Sequence, residues 1–283
     1  MENKYTIRNM TKQEVKDIAI EWAAQEGWNP GLYDHEAFYS ADPNGFFVGL
    51  IDDQPIAAIS GVAYNDDFAF LGFYIVKPEY RGQGYGIKIW NAALDYMKTQ
   101  NIALDGVTDQ QTNYRKSGFK LAYRNIRNRH LSQKFNENFH GIVNIIEVPL
   151  EKVLEYDTRF FPVQRETFLR HWINQPESHG FISLKGEEIN GYSLLRKCRN
   201  GYKIGPLFAE NSNVAEKLFK AMNNTVPSET EIFLDTPEVN KDAVALAKKY
   251  GMEEVFETAR MYTKEEPDID NSKVFGVTTF ELG

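Results

Sequence analysis

The sequence predicts an α+β fold made of two consecutive units, each a mixed, mostly antiparallel sheet flanked by helices. Three observations lead there. Short apolar runs bounded by turn residues alternate with a smaller number of amphipathic segments. The order of those elements in the first half of the chain recurs in the second. A glycine-rich turn, PEYRGQGYGI at residues 78–87, joins a strand-like run to an amphipathic helix.

The first half begins with a short strand at residues 5–8. Thr11 and Glu14 then form a capping box, with Thr as N-cap and Glu three residues on. The helix behind it places Val15, Ile18 and Trp22 on one face and stops at Gly27. The stretch WNPGLYDHEAF, residues 28–38, reads as loop and short helix. Strands follow at 45–51, 56–64 and 68–76, separated by turns at Asp52-Asp53-Gln54-Pro55 and Asn65-Asp66. The helix from Gly84 to about residue 99 carries Ile87, Trp90, Leu94 and Met97 at helical spacing. A strand at 102–107, a short helix at 112–117 and a closing strand at 119–128 complete the unit.

Residues 132–140 are polar and weakly patterned, and read as a linker. The expected division is therefore residues 1–135 and 136–283. In the second unit, strands are expected at 142–148, 180–184, 191–197, 202–207, 232–235, 254–262 and 274–282. Asn200-Gly201 is a two-residue hairpin signal between two of them. Helices are expected from residue 150, from Ser212 as cap to about Met222, and from Asn240 to Tyr250, where Gly251 ends the last.

The chain has 283 residues, 42% hydrophobic and 25% charged, ordinary for a globular protein of one large or two modest domains. Its formal net charge of −8 and pI near 5.3 argue against a nucleic acid as partner. One cysteine, Cys198, leaves no intrachain disulfide and no Cys-based zinc site, a usage that suits the cytoplasm. The five histidines show no paired spacing on one helix, so no metal is expected. The opening MENKYTIRNM has no apolar stretch of a signal peptide, and no apolar run reaches membrane-spanning length.

The chemistry is concentrated in Arg81-Gly82-Gln83-Gly84-Tyr85-Gly86, an R-x-x-G-x-G pattern. Glycines let successive N–H groups turn toward one point, and the following helix adds the partial positive charge of its N-terminus. Together these make a site for a pyrophosphate. A Walker loop is excluded, because Gly86 is followed by Ile87 and not by Lys-Ser/Thr. A dinucleotide fingerprint is excluded by the glycine spacing. Lys77, Arg81, Lys88, Arg115 and Lys116 could supply positive charge locally.

This pattern resembles motif A of the GNAT acetyltransferases. A second match lies downstream, where Tyr114-Arg115-Lys116-Ser117-Gly118-Phe119 is similar to the family's tyrosine helix and the strand after it. The doubled order of elements looks like a tandem GNAT protein of the bacterial two-domain type. The resemblance implies a sheet that splays beside the motif A strand. It further implies acetyl-CoA as cosubstrate, with its pyrophosphate on the amides of Arg81, Gly82, Gln83, Gly84, Tyr85 and Gly86. Its pantetheine arm would lie along Phe73, Tyr74, Ile75 and Val76, and Tyr114 would be the acid that protonates the departing thiolate.

The base is less determined. Many relatives carry a glutamate on the strand entering motif A, but residues 68–76 hold no carboxylate. Asp109, Tyr74, His35 and ordered water are the candidates. Trp28, Asn29, Asp34 and His35 are the candidate contacts for an amine acceptor, a small molecule or a peptide, since an aromatic ring and a carboxylate together suit a cation. Asp157, Arg165, Arg170, His171 and Trp172 are expected to pack between the units. The second unit lacks R-x-x-G-x-G. Gly205-Pro206 and Glu210 stand at that place, and Ala247 replaces the tyrosine. Proline offers no N–H, so this unit is expected to bind CoA weakly or not at all. The expectation is an acetyl-CoA-dependent N-acetyltransferase acting as monomer or dimer. The alternative is a non-catalytic acyl-CoA sensor or interaction module, favoured by the absent strand carboxylate.

Overall fold

The computed structural model describes residues 4–283. The first three residues of the stretch read for a leader lie outside the described residues. Among the described residues no helix is long and apolar enough to cross a membrane.

Thirteen strands are present among the described residues: β1 Tyr5–Asn9, β2 Phe46–Ile51, β3 Gln54–Ala63, β4 Phe68–Val76, β5 Asn101–Val107, β6 Lys120–Leu131, β7 Ile142–Asn144, β8 His179–Lys185, β9 Glu188–Lys197, β10 Tyr202–Ala209, β11 Glu231–Pro237, β12 Glu253–Tyr262 and β13 Val274–Gly276. They form one sheet in the order β1-β2-β3-β4-β5-β12-β6-β11-β10-β9-β8-β7, with β13 beside β10. Pairing is antiparallel except for one parallel pair in each half, β4 with β5 and β10 with β11. The doubled α+β organisation is thus present, and the two sheets are continuous.

The junction differs from a simple doubling. Element order suggests that β6 closes the first half beside β5. Instead β12, from the second half, pairs with β5 from Thr258↔Val107 to Tyr262↔Ala103. β6 in turn lies between β12 and β11. The halves have exchanged their closing strands, which no local pattern in the sequence encodes.

Helices cover both faces. Residues 12–25 form a helix behind the expected Thr11–Glu14 capping box, with a π-helical stretch at Val15–Ile20. It packs with the helix Asp34–Ala41, and Val15, Phe38, Phe46, Phe73 and Trp172 share one apolar cluster. On the opposite face the helix Tyr85–Tyr96 buries Ile89, Trp90 and Ala93, with Met97 just after it. Ile87, expected on that face, is 55% exposed and lines the cavity described below instead of the core. In the second half Asn211, not Ser212, caps the helix Ser212–Asn223, accepting from the Val214 N–H. Only Val274–Gly276 of the expected last strand joins the ladder. The rest, 277–282, is buried without one.

Candidate active site

The site begins where β4 and β5 part. Their parallel register runs from Phe68↔Asn101 to Leu71↔Leu104 and then stops. Phe73 adopts φ +49°, beside a register shift against β3 between Ala58 and Ser60. Its ring is held between Phe38 and Phe46, at centroid distances of 5.7 and 6.4 Å. That irregularity turns β4 away while β5 follows β12. The opening is a cavity of about 630 Å³, and Phe73, Tyr74, Ile75 and Val76 form one wall. β3 pairs with the far edge of this segment, Ala58↔Ile75 and Ala57↔Val76, so its main-chain groups on the β5 side have no strand partner.

The glycine-rich loop closes one end. Gly82 and Gly84 have φ of +75° and +83°, and Gly84 is the N-cap of Tyr85–Tyr96. A Cβ at either position would meet nothing within 4 Å, so glycine is required there by backbone conformation and not by space. Gly86 is different, since a Cβ there would lie 2.5 Å from the Tyr74 hydroxyl oxygen. Arg81, Gly82, Gly84 and Gly86 line the cavity; the side chains of Gln83 and Tyr85 do not. Gln83 donates to the Glu79 carbonyl at 2.8 Å. Arg81 donates to the Val76 carbonyl at 2.7 Å and to Glu26 at 2.5 Å.

Tyr114, on the short helix Gln111–Lys116, lines the same cavity. Its ring stacks on Trp90 at 5.6 Å and lies against Gly106, where a Cβ would be 2.1 Å from the ring. Burial, with the Tyr74 hydroxyl nearby, pushes the phenol up to about 12. The group is therefore a protonated donor at neutral pH. Asp109 is exposed on the turn before this helix and is not part of the lining.

Of the four acceptor candidates, Trp28 reaches the cavity and the other three serve the junction between halves or lie aside from it. Asn29 exchanges two hydrogen bonds with the Asn200 backbone, at 2.9 and 3.0 Å. Asp34 is fully buried, accepts from the Gly31 N–H at 2.9 Å and pairs with Arg196 at 3.0 Å. His35 lies against Glu36 at 3.4 Å, and burial lowers the pKa of its imidazole. The Asp157–Arg165 pair, 2.8 Å, is likewise fully buried.

The sequence reading missed the wall supplied by the second half. Phe256 and Thr258 on β12, and Phe280 and Glu281 beyond β13, all line the cavity. No local signal marks them, because the exchange of β12 brings Phe256 and Thr258 there and long-range hydrogen bonds of the segment 277–283 to Asp235, Arg165 and Tyr64 bring Phe280 and Glu281. The Thr258 hydroxyl is buried with no hydrogen-bond partner. In the second half, Glu210 is engaged by Arg159 at 2.7 Å and Lys273 at 2.9 Å, and Pro206 lacks the N–H that a phosphate cradle needs. Among the described residues no group of three or more His, Cys, Asp or Glu side chains could hold a metal ion.

Comparison with known proteins agrees with this geometry. Residues 13–119 match the sequence model of the acetyltransferase (GNAT) family, and residues 153–276 match that of an acetyltransferase (GNAT) domain. The chain is 34% identical over 270 residues to a holothin acyltransferase from a Pseudoalteromonas species, covering 95% of this chain and 92% of that one. The fold is similar to the crystal structure of a provisionally assigned acetyltransferase from Pyrococcus horikoshii, with TM-score 0.83, 23% identity and coverage of 100% and 99%. It is also similar to a tandem GNAT protein from the clavulanic acid biosynthesis pathway, with TM-score 0.65, 11% identity and coverage of 93% and 100%. Two GNAT matches in succession, a full-length acyltransferase relative and a doubled, splayed sheet establish that the chain belongs to the GNAT acyltransferase family, as a tandem member.

Proposed function

We propose that the protein transfers an acetyl group from acetyl-CoA to the amine of a small molecule or peptide, in the cavity between β4 and β5. The observation that carries this reading is the meeting of three features in one cavity: the glycine loop at a helix N-terminus, the free edge of Phe73–Val76, and a buried, protonated Tyr114. The amides of residues 81–86 would bind the pyrophosphate, since charge-assisted donors from a backbone cradle favour anions. The unpaired β4 edge would hold the amide-bearing pantetheine arm as an added strand would be held.

In the reaction the amine nitrogen attacks the thioester carbonyl carbon. The C–N bond forms, the C–S bond breaks, and Tyr114 gives its proton to the leaving sulfur. The amine must first lose a proton, because an alkyl ammonium with pKa about 10.4 is neutral only on the order of 0.1% at pH 7. Positioning can supply about 7–11 kcal/mol of the barrier, so the cradle and the strand edge carry most of the catalysis. In this reading residues 1–135 bind the donor, and residues 136–283 bind none and complete the acceptor wall through β12 and the segment 277–283. The acyltransferase relative acts on holothin. Trp28, Phe256 and Phe280 line the cavity and would give an acceptor an aromatic wall.

The test is thiol release from acetyl-CoA over a panel of amines, with mass spectrometry of the products. Turnover with an N-acetylated product is the expected result. Tight CoA binding with no turnover across a broad panel would overturn the reading in favour of a sensor.

A further inference from the structure

Three carboxylates line the cavity, and two are occupied. Glu26 is bonded to Arg81. Asp105 receives Arg260 through both oxygens, at 3.0 and 2.6 Å, and Asn125 at 2.8 Å. Glu281 makes no ion pair within reach of any described cation. One of its oxygens accepts from the Thr279 hydroxyl, and the other takes no hydrogen bond. The residue is only 3% exposed, so the carboxylate has left bulk water for the cavity wall.

Its seat is rigid. The Glu281 carbonyl oxygen presses on Gly72, where a Cβ would approach it to 2.2 Å, immediately before the irregular Phe73. On either side the chain is tied to both halves. Tyr64 donates to the Leu282 carbonyl at 3.0 Å, Arg165 donates to the Thr278 hydroxyl at 2.8 Å, and the Val277 N–H donates to the Asp235 carbonyl at 2.9 Å. The segment therefore lays a fixed carboxylate across β4 at the point where β4 leaves β5. The strand itself holds no carboxylate there.

Resting on the acetyltransferase reading above, we propose that Glu281 is the general base, supplied to the first half's donor site by the second half of the chain. It takes a proton from the alkyl ammonium, and the neutral nitrogen then bonds to the thioester carbonyl carbon, its second proton passing to water as the amide forms. The C–S pair goes to sulfur, which takes the Tyr114 proton. One carboxylate and one phenol thus divide the two proton transfers that the protein makes. The charged groups acting on Glu281 from neighbouring strands are Arg127 on β6, Arg196 on β9 and Lys203 on β10, with Asp235 on β11 opposing them. Lys203 and Arg196 Nη2 are buried with no hydrogen-bond partner, so removing the Glu281 charge leaves this group more positive.

The experiment uses the full chain. Glu281→Gln is measured for turnover against pH and for acetyl-CoA affinity by calorimetry. Turnover with an alkyl amine should fall by about 10²–10⁴-fold with donor affinity within about twofold of the parent. The acidic limb of the pH–rate profile should vanish, and the deficit should shrink for an aromatic amine that is already neutral. Glu281→Asp keeps the charge balance and serves if the Gln variant does not fold. It should turn over more slowly than the parent while retaining the acidic limb. Parent-like turnover in Glu281→Gln, or in Glu281→Asp where Gln is unfolded, would overturn the assignment while leaving the acetyltransferase reading intact. A parent protein that binds acetyl-CoA and acetylates no amine overturns both.

Discussion

Replacing Gly84 by alanine isolates the backbone requirement of the glycine loop. The residue sits at φ +83° and ψ 0°, one position before the helix Tyr85–Tyr96. An added methyl group meets nothing within 4 Å, so the substitution brings no clash and its whole cost is conformational. That cost is about 1–2 kcal/mol for a non-glycine residue in the left-handed region. The free loop can shed it, because its side-chain anchors are few: Arg81 on the Val76 carbonyl and Glu26, Gln83 on the Glu79 carbonyl, and the Tyr5 hydroxyl on the Tyr85 carbonyl. Binding the diphosphate must then restore the strained shape. Affinity for acetyl-CoA should weaken by about 5–30-fold, the same free energy expressed as a dissociation constant. Gly118→Ala is the control. Gly118 has φ +91°, an equally open environment and a place outside the cavity lining. Calorimetry on both variants decides the matter. Equal affinities for Gly84→Ala and Gly118→Ala would refute the claim that the loop's amides grip the donor.

Other perturbations probe the rest of the assembly. Tyr114→Phe should lower turnover by about 10²-fold or more with acetyl-CoA affinity unchanged. Because the phenol is pushed up to about 12, the parent should lose activity through this group only as pH rises toward that value, a limb read from a pH–rate profile. Asp34→Ala strands the buried Arg196 and should destabilise the fold by about 3–5 kcal/mol in denaturant titration, without altering donor affinity. The Glu216 carboxylate tests linkage. Against the opposing effect of burial, hydrogen bonds from Lys249, Tyr250 and Lys220 hold it down from 4.5 to about 2. Its stabilisation is present above 4.5 and is lost as pH falls through about 2. Glu216→Gln should therefore melt below the parent at neutral pH, with the gap closing across that window in thermal scans.

Much of the cavity wall around the glycine loop was legible in the sequence, since the motif is local. Arg81 to Gly86 carry their own turn, glycine spacing and helix start, and Tyr114 is fixed four residues before Gly118 by a short helix. The acceptor side was not legible. Trp28 could be placed from its loop, but Asn29 and Asp34 were misread as substrate contacts because an exposed-looking polar loop gives no sign that Asn200 and Arg196 will meet it from 171 and 162 residues away. Thr258 reaches the cavity through strand exchange and Glu281 through the long-range ties of the segment 277–283, both choices of partner made by the whole fold. The same long-range pairing hid the junction, where the order of elements is that of two separate units and the hydrogen bonds are those of one.

The exchange of closing strands has a mechanical corollary. A polypeptide cut within residues 132–140 would yield a first fragment whose β5 ends in bare edge groups and whose β6 has lost both flanking strands. Neither fragment could shelter its ladder alone. The two would have to be made together and interlock as they fold, so the doubled unit forms a clasp, with each arm closed by a strand of the other.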